Sequence, residues 1–279
     1  MSLQSPAFVL HWPKFSPQLR PEIMRKIISI TNQKGGVGKT TTAINLAASL
    51  AAAEKKTLLI DCDPQGNASS GVGIEKFRSD ERNLYQVLVG DLPIGEAIHD
   101  TAIPHLKVIP ANQDLVGIEV EFIGIPDRER KLKHLLQELD ADIDYVIIDC
   151  PPSLGVLTIN ALVASDSLIV PLQCEYFAME GLGYLMKTVK LVRAGLNPSL
   201  GLSGILLTMF DSRNRLSHMV AEDIRKNFGS KVFQTVIPRN VRLSECPSHG
   251  LPIILYDIKS RGAVCYLELA RELLANGRV

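Results

Sequence analysis

The sequence predicts a three-layer, doubly wound α/β fold, with a mostly parallel twisted sheet and helices on both faces. Three observations carry that prediction. Apolar runs of strand length alternate with stretches of helical periodicity from about residue 26 onward. Several runs, such as Thr57-Leu58-Leu59-Ile60 and Tyr145-Val146-Ile147-Ile148, are nearly continuous in Ile, Leu and Val, as strands buried on both faces are. Residues 34–42 read Lys-Gly-Gly-Val-Gly-Lys-Thr-Thr-Thr and put a glycine-rich turn between an apolar run and a helical pattern, a connection shaped to hold phosphate.

The elements follow in order. Ile27-Ile28-Ser29-Ile30 centres a strand over 26–31, and the glycine turn opens a helix over 39–53. A strand at 57–61 ends in Asp61. The stretch from Gly66 to Asn83, rich in Gly, Ser and charge, is expected to be a mobile surface segment. A strand at 107–110 precedes helices at 112–123 and 127–139. A strand at 145–149 ends in Asp149, and a helix follows at 155–164. Strands at 167–172, 202–208 and 232–236 then alternate with helices at 178–194, 216–227 and 262–275. Ahead of all this, Pro6, Pro13, Pro17 and Pro21 break any regular element. Residues 1–23 are therefore expected to be a disordered extension before one domain over 24–279.

Composition narrows the function. At 279 residues the chain suffices for one large core. Thirty acidic and thirty basic side chains balance, so bulk charge does not announce a nucleic-acid binder. The balance is local: Asp211 to Arg261 holds nine Lys or Arg against five acids, enough for a basic patch on a neutral molecule. The five cysteines at 62, 150, 174, 246 and 265 form no C-x-x-C pair, which argues against zinc and against a secreted disulfide framework. No apolar run approaches the roughly 20 residues of a membrane-spanning helix, and a cytoplasmic location is expected.

The chemistry concentrates at the glycine turn. Amides from Gly35, Gly36, Val37, Gly38 through Thr41 would converge on phosphate, Lys39 would reach the β- and γ-phosphates, and Thr40 would ligate Mg²⁺. The common P-loop has a glycine where this chain has Gln33, and it has a second lysine, Lys34, instead. The loop already wraps its own phosphates, so Lys34 is better placed to reach across a dimer interface. Asp61 and Asp149 end buried strands beside the loop and are expected to act through Mg²⁺-bound water, the alternative for Asp61 being a structural acceptor of N–H groups. Asp63 lies just beyond, on a Pro-Gly-containing segment expected to respond to the γ-phosphate, and is the candidate for orienting water.

These features resemble the deviant-Walker ATPases, and most closely the ParA/Soj branch of chromosome- and plasmid-partitioning proteins. The resemblance runs from about residue 24 to the C-terminus and includes residues 173–182 (Gln-Cys-Glu-Tyr-Phe-Ala-Met-Glu-Gly-Leu), 208–213 and 237–245. It implies an ATPase using ATP and Mg²⁺, with Lys34, Lys39 and Asp63 catalytic. It implies adenine recognition by Met209, Pro238 and Asn240, and DNA contacts from Arg213 and Arg242. The implied partners are non-specific double-stranded DNA, a ParB-like centromere-binding protein that stimulates hydrolysis, and a second copy in an ATP-dependent homodimer at the nucleoid. The alternative is a MinD-type membrane-surface regulator, which needs a basic amphipathic C-terminal helix. The C-terminal helix here carries Glu268 and Glu272 beside Arg271, so it reads as packed on the domain, with no membrane partner. An electron-transfer reductase is disfavoured by the scattered cysteines.

Overall fold

The structure, a computed structural model, describes residues 25–74, 82–139 and 142–275. The expected extension over 1–23 lies outside the described residues. Strands β1 (Lys26–Ile30), β2 (Thr57–Asp61), β3 (His99–Asp100), β4 (Leu106–Ile109), β5 (Tyr145–Asp149), β6 (Ser167–Gln173), β7 (Gly201–Phe210) and β8 (Val232–Pro238) form one sheet of order β3-β4-β2-β5-β1-β6-β7-β8. All neighbours are parallel except the β3–β4 pair. The helices are α1 (Lys39–Ala52), α2 (Asn67–Gly71), α3 (Leu84–Val89), α4 (Ile118–Glu121), α5 (Lys131–Gln137), α6 (Val156–Ala164), α7 (Ala178–Gly195), α8 (Arg215–Phe228), α9 (Val241–Glu245), α10 (Ile253–Tyr256) and α11 (Arg261–Ala275).

Side chains alternate across each strand, so every central strand feeds two cores. Ile28, Ile30, Leu59, Ile147, Leu206 and Phe233 face α1 and α11, where Leu46, Leu50, Tyr266 and Leu269 are buried. Leu58, Ile60, Val146 and Ile148 face α3, α5 and α6. Leu168, Val170, Ile205 and Leu207 face α7 and α8. The chain leaves β1 toward one edge and leaves β5 and β6 toward the other. The carboxyl ends of these strands therefore open the crevice where α/β sheets bind ligands.

The seven expected strands are present, and β3 adds a two-residue antiparallel edge too short for periodicity to reveal. The expected helix at 112–123 is broken. A 3₁₀ turn over Gln113–Val116 gives way at Gly117 to the four-residue α4. The helix at 127–139 begins as a 3₁₀ turn, Arg128–Arg130, after Asp127 with φ 53°. The segment Gly66–Asn83 is also corrected in part. Residues 67–71 form α2, with Ala68, Ser69 and Gly71 buried, and Asn83 caps α3 through Gln86 N at 3.2 Å. Residues 75–81 of that segment lie outside the described residues.

Candidate nucleotide site

The glycine turn is held from both ends of its arc. Asn32 Nδ2 donates to Pro171 O of β6 at 2.7 Å, and Asn32 Oδ1 accepts from Lys34 N at 3.0 Å. From β7, the Thr208 hydroxyl donates to Val37 O at 2.8 Å. Gly36 and Gly38 have φ of 73° and 86°, a left-handed conformation that only glycine adopts cheaply. No side chain caps the start of α1 at Gly38, so the helix's first amides and its positive dipole end face the crevice.

Behind this loop lie charges without matching partners. Lys39 is only 7% exposed, and its ammonium donates to Lys34 O at 3.0 Å. Burial lowers its pKa, while Asp149, Cys150 and Asp63 oppose that shift. Asp149 is fully buried, and neither carboxylate oxygen has a hydrogen-bond donor among the described residues. Burial raises its pKa well above the carboxylate range, with Asp61 adding to the shift, while the nearby Thr40 hydroxyl and Lys39 pull it down. A buried orphan carboxylate beside a hydroxyl at a helix start is a donor set that fits a hard, oxygen-seeking divalent cation.

Asp61 is arranged differently from Asp149 although the two are register partners on β2 and β5. Its Oδ1 accepts from Asp63 N at 3.1 Å, and its Oδ2 accepts from both the amide and the hydroxyl of Ser69 at 2.7 Å. The Ser69 hydroxyl in turn accepts from Ala111 N at 3.0 Å. Burial still raises the Asp61 pKa to about 6 against these bonds. Asp61 is thus the acceptor that pins the 63–69 segment. The same bonds hold Asp63 on a turn closed by Gly66 N to Asp63 O at 2.9 Å, so it is less free than its Pro-Gly setting predicts. Asp63 is half-buried and faces the crevice.

The other side of the crevice comes from the ends of β7 and β8. Register slips between Leu207 and Phe210, and Met209 takes a strained φ of 47°. β8 stops at Pro238, and Asn240 then starts α9. One cavity of about 820 Å³ joins Lys39, Thr40 and Asp63 to Met209, Pro238 and Asn240. The expected phosphate and base residues, far apart in sequence, thus share one space.

The comparisons with known proteins agree with this geometry. The AAA domain family matches residues 25–202. The chromosome partitioning protein ParA of Myxococcus xanthus is 59% identical over 89% of this chain and 88% of its own length. The sporulation initiation inhibitor protein Soj of Bacillus subtilis is 57% identical over 91% of this chain and 100% of its own. The crystal structure of cobyrinic acid a,c-diamide synthase from Mycobacterium smegmatis, with bound ADP and magnesium, superposes with a TM-score of 0.80 at 38% identity, over 91% of this chain and 96% of that one. The chain belongs to the ParA/Soj family of chromosome-partitioning ATPases.

Within that ParA/Soj fold, other expected residues fall in less simple places. Lys34 lies outside the cavity, exposed, with its ammonium 2.5 Å from Glu175 Oε2. Asn240 Oδ1 caps α9, accepting from Leu243 N at 3.2 Å, which leaves the amide NH₂ unused by the cap. Arg213 lines the cavity and is paired through its fork with Asp211, Nε to Oδ1 and Nη2 to Oδ2, both at 3.0 Å. This pairing holds Asp211 down at about 2. Arg242 donates to Glu245 Oε2 at 3.0 Å and lies 3.7 Å from Asp257. Both arginines are surface residues, and both are already paired within the chain.

Sequence reasoning passed over four supports: Asn32, Thr208, Ser69 and Glu175. Thr208 and Glu175 stood inside the segments that carried the resemblance, but a hydroxyl or carboxylate read alone gives no hint of its partner. Asn32 directly precedes the loop, and Ser69 falls in the stretch expected to be mobile.

Proposed function

We propose that this chain is an ATP-driven DNA-segregation switch whose nucleotide-bound homodimer holds DNA without regard to sequence. The single cavity that joins the glycine loop to Met209, Pro238 and Asn240 supports this reading most directly. The reaction is attack of water on the γ-phosphate of ATP, giving ADP and phosphate. It asks the protein mainly for positioning and charge neutralisation. Lys39 takes the β- and γ-phosphates with the N–H donors that its bond to the Lys34 carbonyl leaves over, aided by the loop amides from Gly35 to Thr41. Mg²⁺, when bound, neutralises phosphate charge; Thr40 would ligate it, and Asp149 would hold its water. Asp63, fixed by its turn, orients the attacking water. Lys34, outside the cavity and exposed, supplies its charge to the partner's phosphates. Met209 and Pro238 offer apolar faces to the base, and the Asn240 NH₂ donates to its edge.

Arg213 and Arg242 sit beside the nucleotide-facing ends of β7 and β8. A dimer doubles these cations on one surface, and DNA phosphates then compete with Asp211 and Glu245 for the guanidinium forks. A ParB-like centromere-binding protein is the expected stimulator of hydrolysis. The M. xanthus relative, a chromosome partitioning protein, supports a segregation role.

The membrane-surface alternative finds no support at the C-terminal helix. α11 buries Tyr266, Leu269 and Leu273 in the core shared with α1, so its apolar face is occupied through residue 275. No helix among the described residues is long and apolar enough to cross a membrane.

Co-sedimentation tests the proposal. Plasmid DNA should pellet the protein with ATP, and neither with ADP nor without nucleotide. Arg213→Glu with Arg242→Glu should abolish this while leaving ATP binding intact. Binding should weaken with salt by about one logarithmic unit per logarithmic unit of salt for each phosphate contact. Pelleting with anionic liposomes instead of DNA would overturn the reading, as would ATP-independent DNA binding.

A further inference from the structure

Lys34 is engaged at three atoms by its own protomer. Its amide donates to Asn32 Oδ1, its carbonyl accepts from Lys39 Nζ, and its ammonium meets Glu175 Oε2. The last contact conflicts with an ATP-bound dimer, because Lys34 has to leave Glu175 to reach a partner's phosphate. Glu175 is well fixed for its part. It follows β6 by two residues, its amide donates to Gln173 O at 2.8 Å, and its carbonyl accepts from Ala178 N at 3.0 Å as α7 begins. The carboxylate thus rides on a closed turn between a core strand and a long helix, while Lys34 rides on the glycine loop. Their side chains are 42% and 44% exposed, so the pair can open without unfolding anything.

We propose that Glu175 is a positioning residue that parks Lys34 on its own protomer until the phosphates of a second copy compete for its ammonium. Phosphate is the stronger partner for that ammonium, because it carries more charge than one carboxylate. The Glu175 pair opposes extension of Lys34 toward the second copy unless nucleotide is bound there. The device makes dimerisation answer to bound nucleotide, and it suppresses encounters between empty protomers. The inference rests on the reading that Lys34 acts in trans.

The size of the effect follows from symmetry. Forming one dimer opens two Lys34–Glu175 pairs. A half-exposed pair is worth a few tenths of a kcal/mol to about 1, so removing both should tighten the ATP dimer by about two- to thirty-fold. The gain should shrink at high salt, which screens exposed pairs.

Light scattering of the full chain across protein concentration, with saturating ATP and Mg²⁺, tests this with three variants. Glu175→Gln should reach half-dimer at a concentration lower than the parent by the factor above, with an unchanged melting temperature. Glu175→Asp, which keeps the charge, should stay nearer the parent. Lys34→Ala should fail to dimerise while still binding ATP. If Glu175→Gln dimerises no more tightly than the parent while Lys34→Ala fails, the parking role is wrong and the trans role stands. If Lys34→Ala dimerises normally, both are wrong. An equal gain in the Gln and Asp variants would show an effect of the turn instead of the charge, and would also overturn the proposal.

Discussion

The two sides of the nucleotide cavity are built on opposite principles. On the side of β1 and β5, Lys39 is buried with a carbonyl for company, and Asp149 is fully buried with both oxygens orphaned. On the side of β7 and β8, three polar side chains already have partners in the chain: Asn240 caps α9, Arg213 grips Asp211, and Arg242 grips Glu245. The first side is incomplete without ligand, and on the second the cap and both arginine pairs are already complete. Phosphate and metal therefore relieve a cost that the fold carries. On the proposed function, DNA phosphates would displace bonds that Arg213 and Arg242 already make within the chain. Affinity should come from the first side, and nucleotide-dependent switching from the second.

The sharpest way to break this contrast is at Lys39. Lys39→Ala removes a buried charge whose natural partner is the phosphate, so ATP affinity should fall by about 10²-fold or more, as the loss of charge-assisted bonds implies. Calorimetry measures this directly. A loss below about threefold would mean that the orphaned side does not drive binding.

Asp149 gives the next largest effect, and its sign is opposite for stability. Its folded pKa is raised, chiefly by burial, so the folded state holds the proton more tightly than the unfolded chain does. Its favourable contribution is complete below the unfolded value of about 4 and is lost as pH rises through the folded pKa. Asp61, raised to about 6, acts in the same direction between about pH 4 and 6. The nucleotide-free protein should therefore lose stability as pH rises through and beyond this window. Asp149→Asn removes the charge and should stabilise the nucleotide-free fold at pH 8 by about 1–3 kcal/mol. Saturating Mg²⁺ and ATP should then reverse the ranking, because the parent gains more from ligand. Melting curves of both proteins, with and without Mg²⁺ and ATP, decide it. A destabilised nucleotide-free variant would show that Asp149 is satisfied in a way the fold does not reveal.

The same contrast explains what the sequence disclosed. The fold was legible because buried parallel strands write themselves as apolar runs, and the 34–42 turn fixes where β1 meets α1. The broken helix around Gly117 was not legible, because 3₁₀ and α turns share nearly the same spacing of apolar residues. The incomplete side of the site was legible too: a lysine in a glycine turn and Asp149 at the end of a core strand have little structural purpose, whereas Asp61 pins the 63–69 segment. The complete side was half hidden. Asn240 and Arg242 stood out through the resemblance, but their bonds to Leu243 and Glu245 depend on how α9 begins. Asp61 and Asp149 make the limit plain. They occupy matching ends of neighbouring strands, and the sequence gives no sign that Ser69 bonds one while only the nearby Thr40 hydroxyl and Lys39 charge offset burial of the other.

The smallest effect sharpens the comparison most, because it separates two jobs of one side chain. Asn240 caps α9 with its oxygen and also lines the cavity. Asn240→Ala should lose both, costing about 1 kcal/mol of stability for the cap and a similar amount of ATP affinity. Asn240→Asp keeps an oxygen to accept from Leu243 N and removes the NH₂ donor. It should retain the parent's melting temperature and lose only base contact. The affinity loss in Asp should then match that in Ala, at about threefold to tenfold, the worth of one neutral hydrogen bond. Parallel titrations with ATP and GTP make the readout specific, because a lost adenine contact narrows the preference between bases and a lost cap does not. If Asn240→Asp kept the parent's full preference for ATP, Asn240 would serve α9 alone, and the β8 side would read the base through Met209 and Pro238.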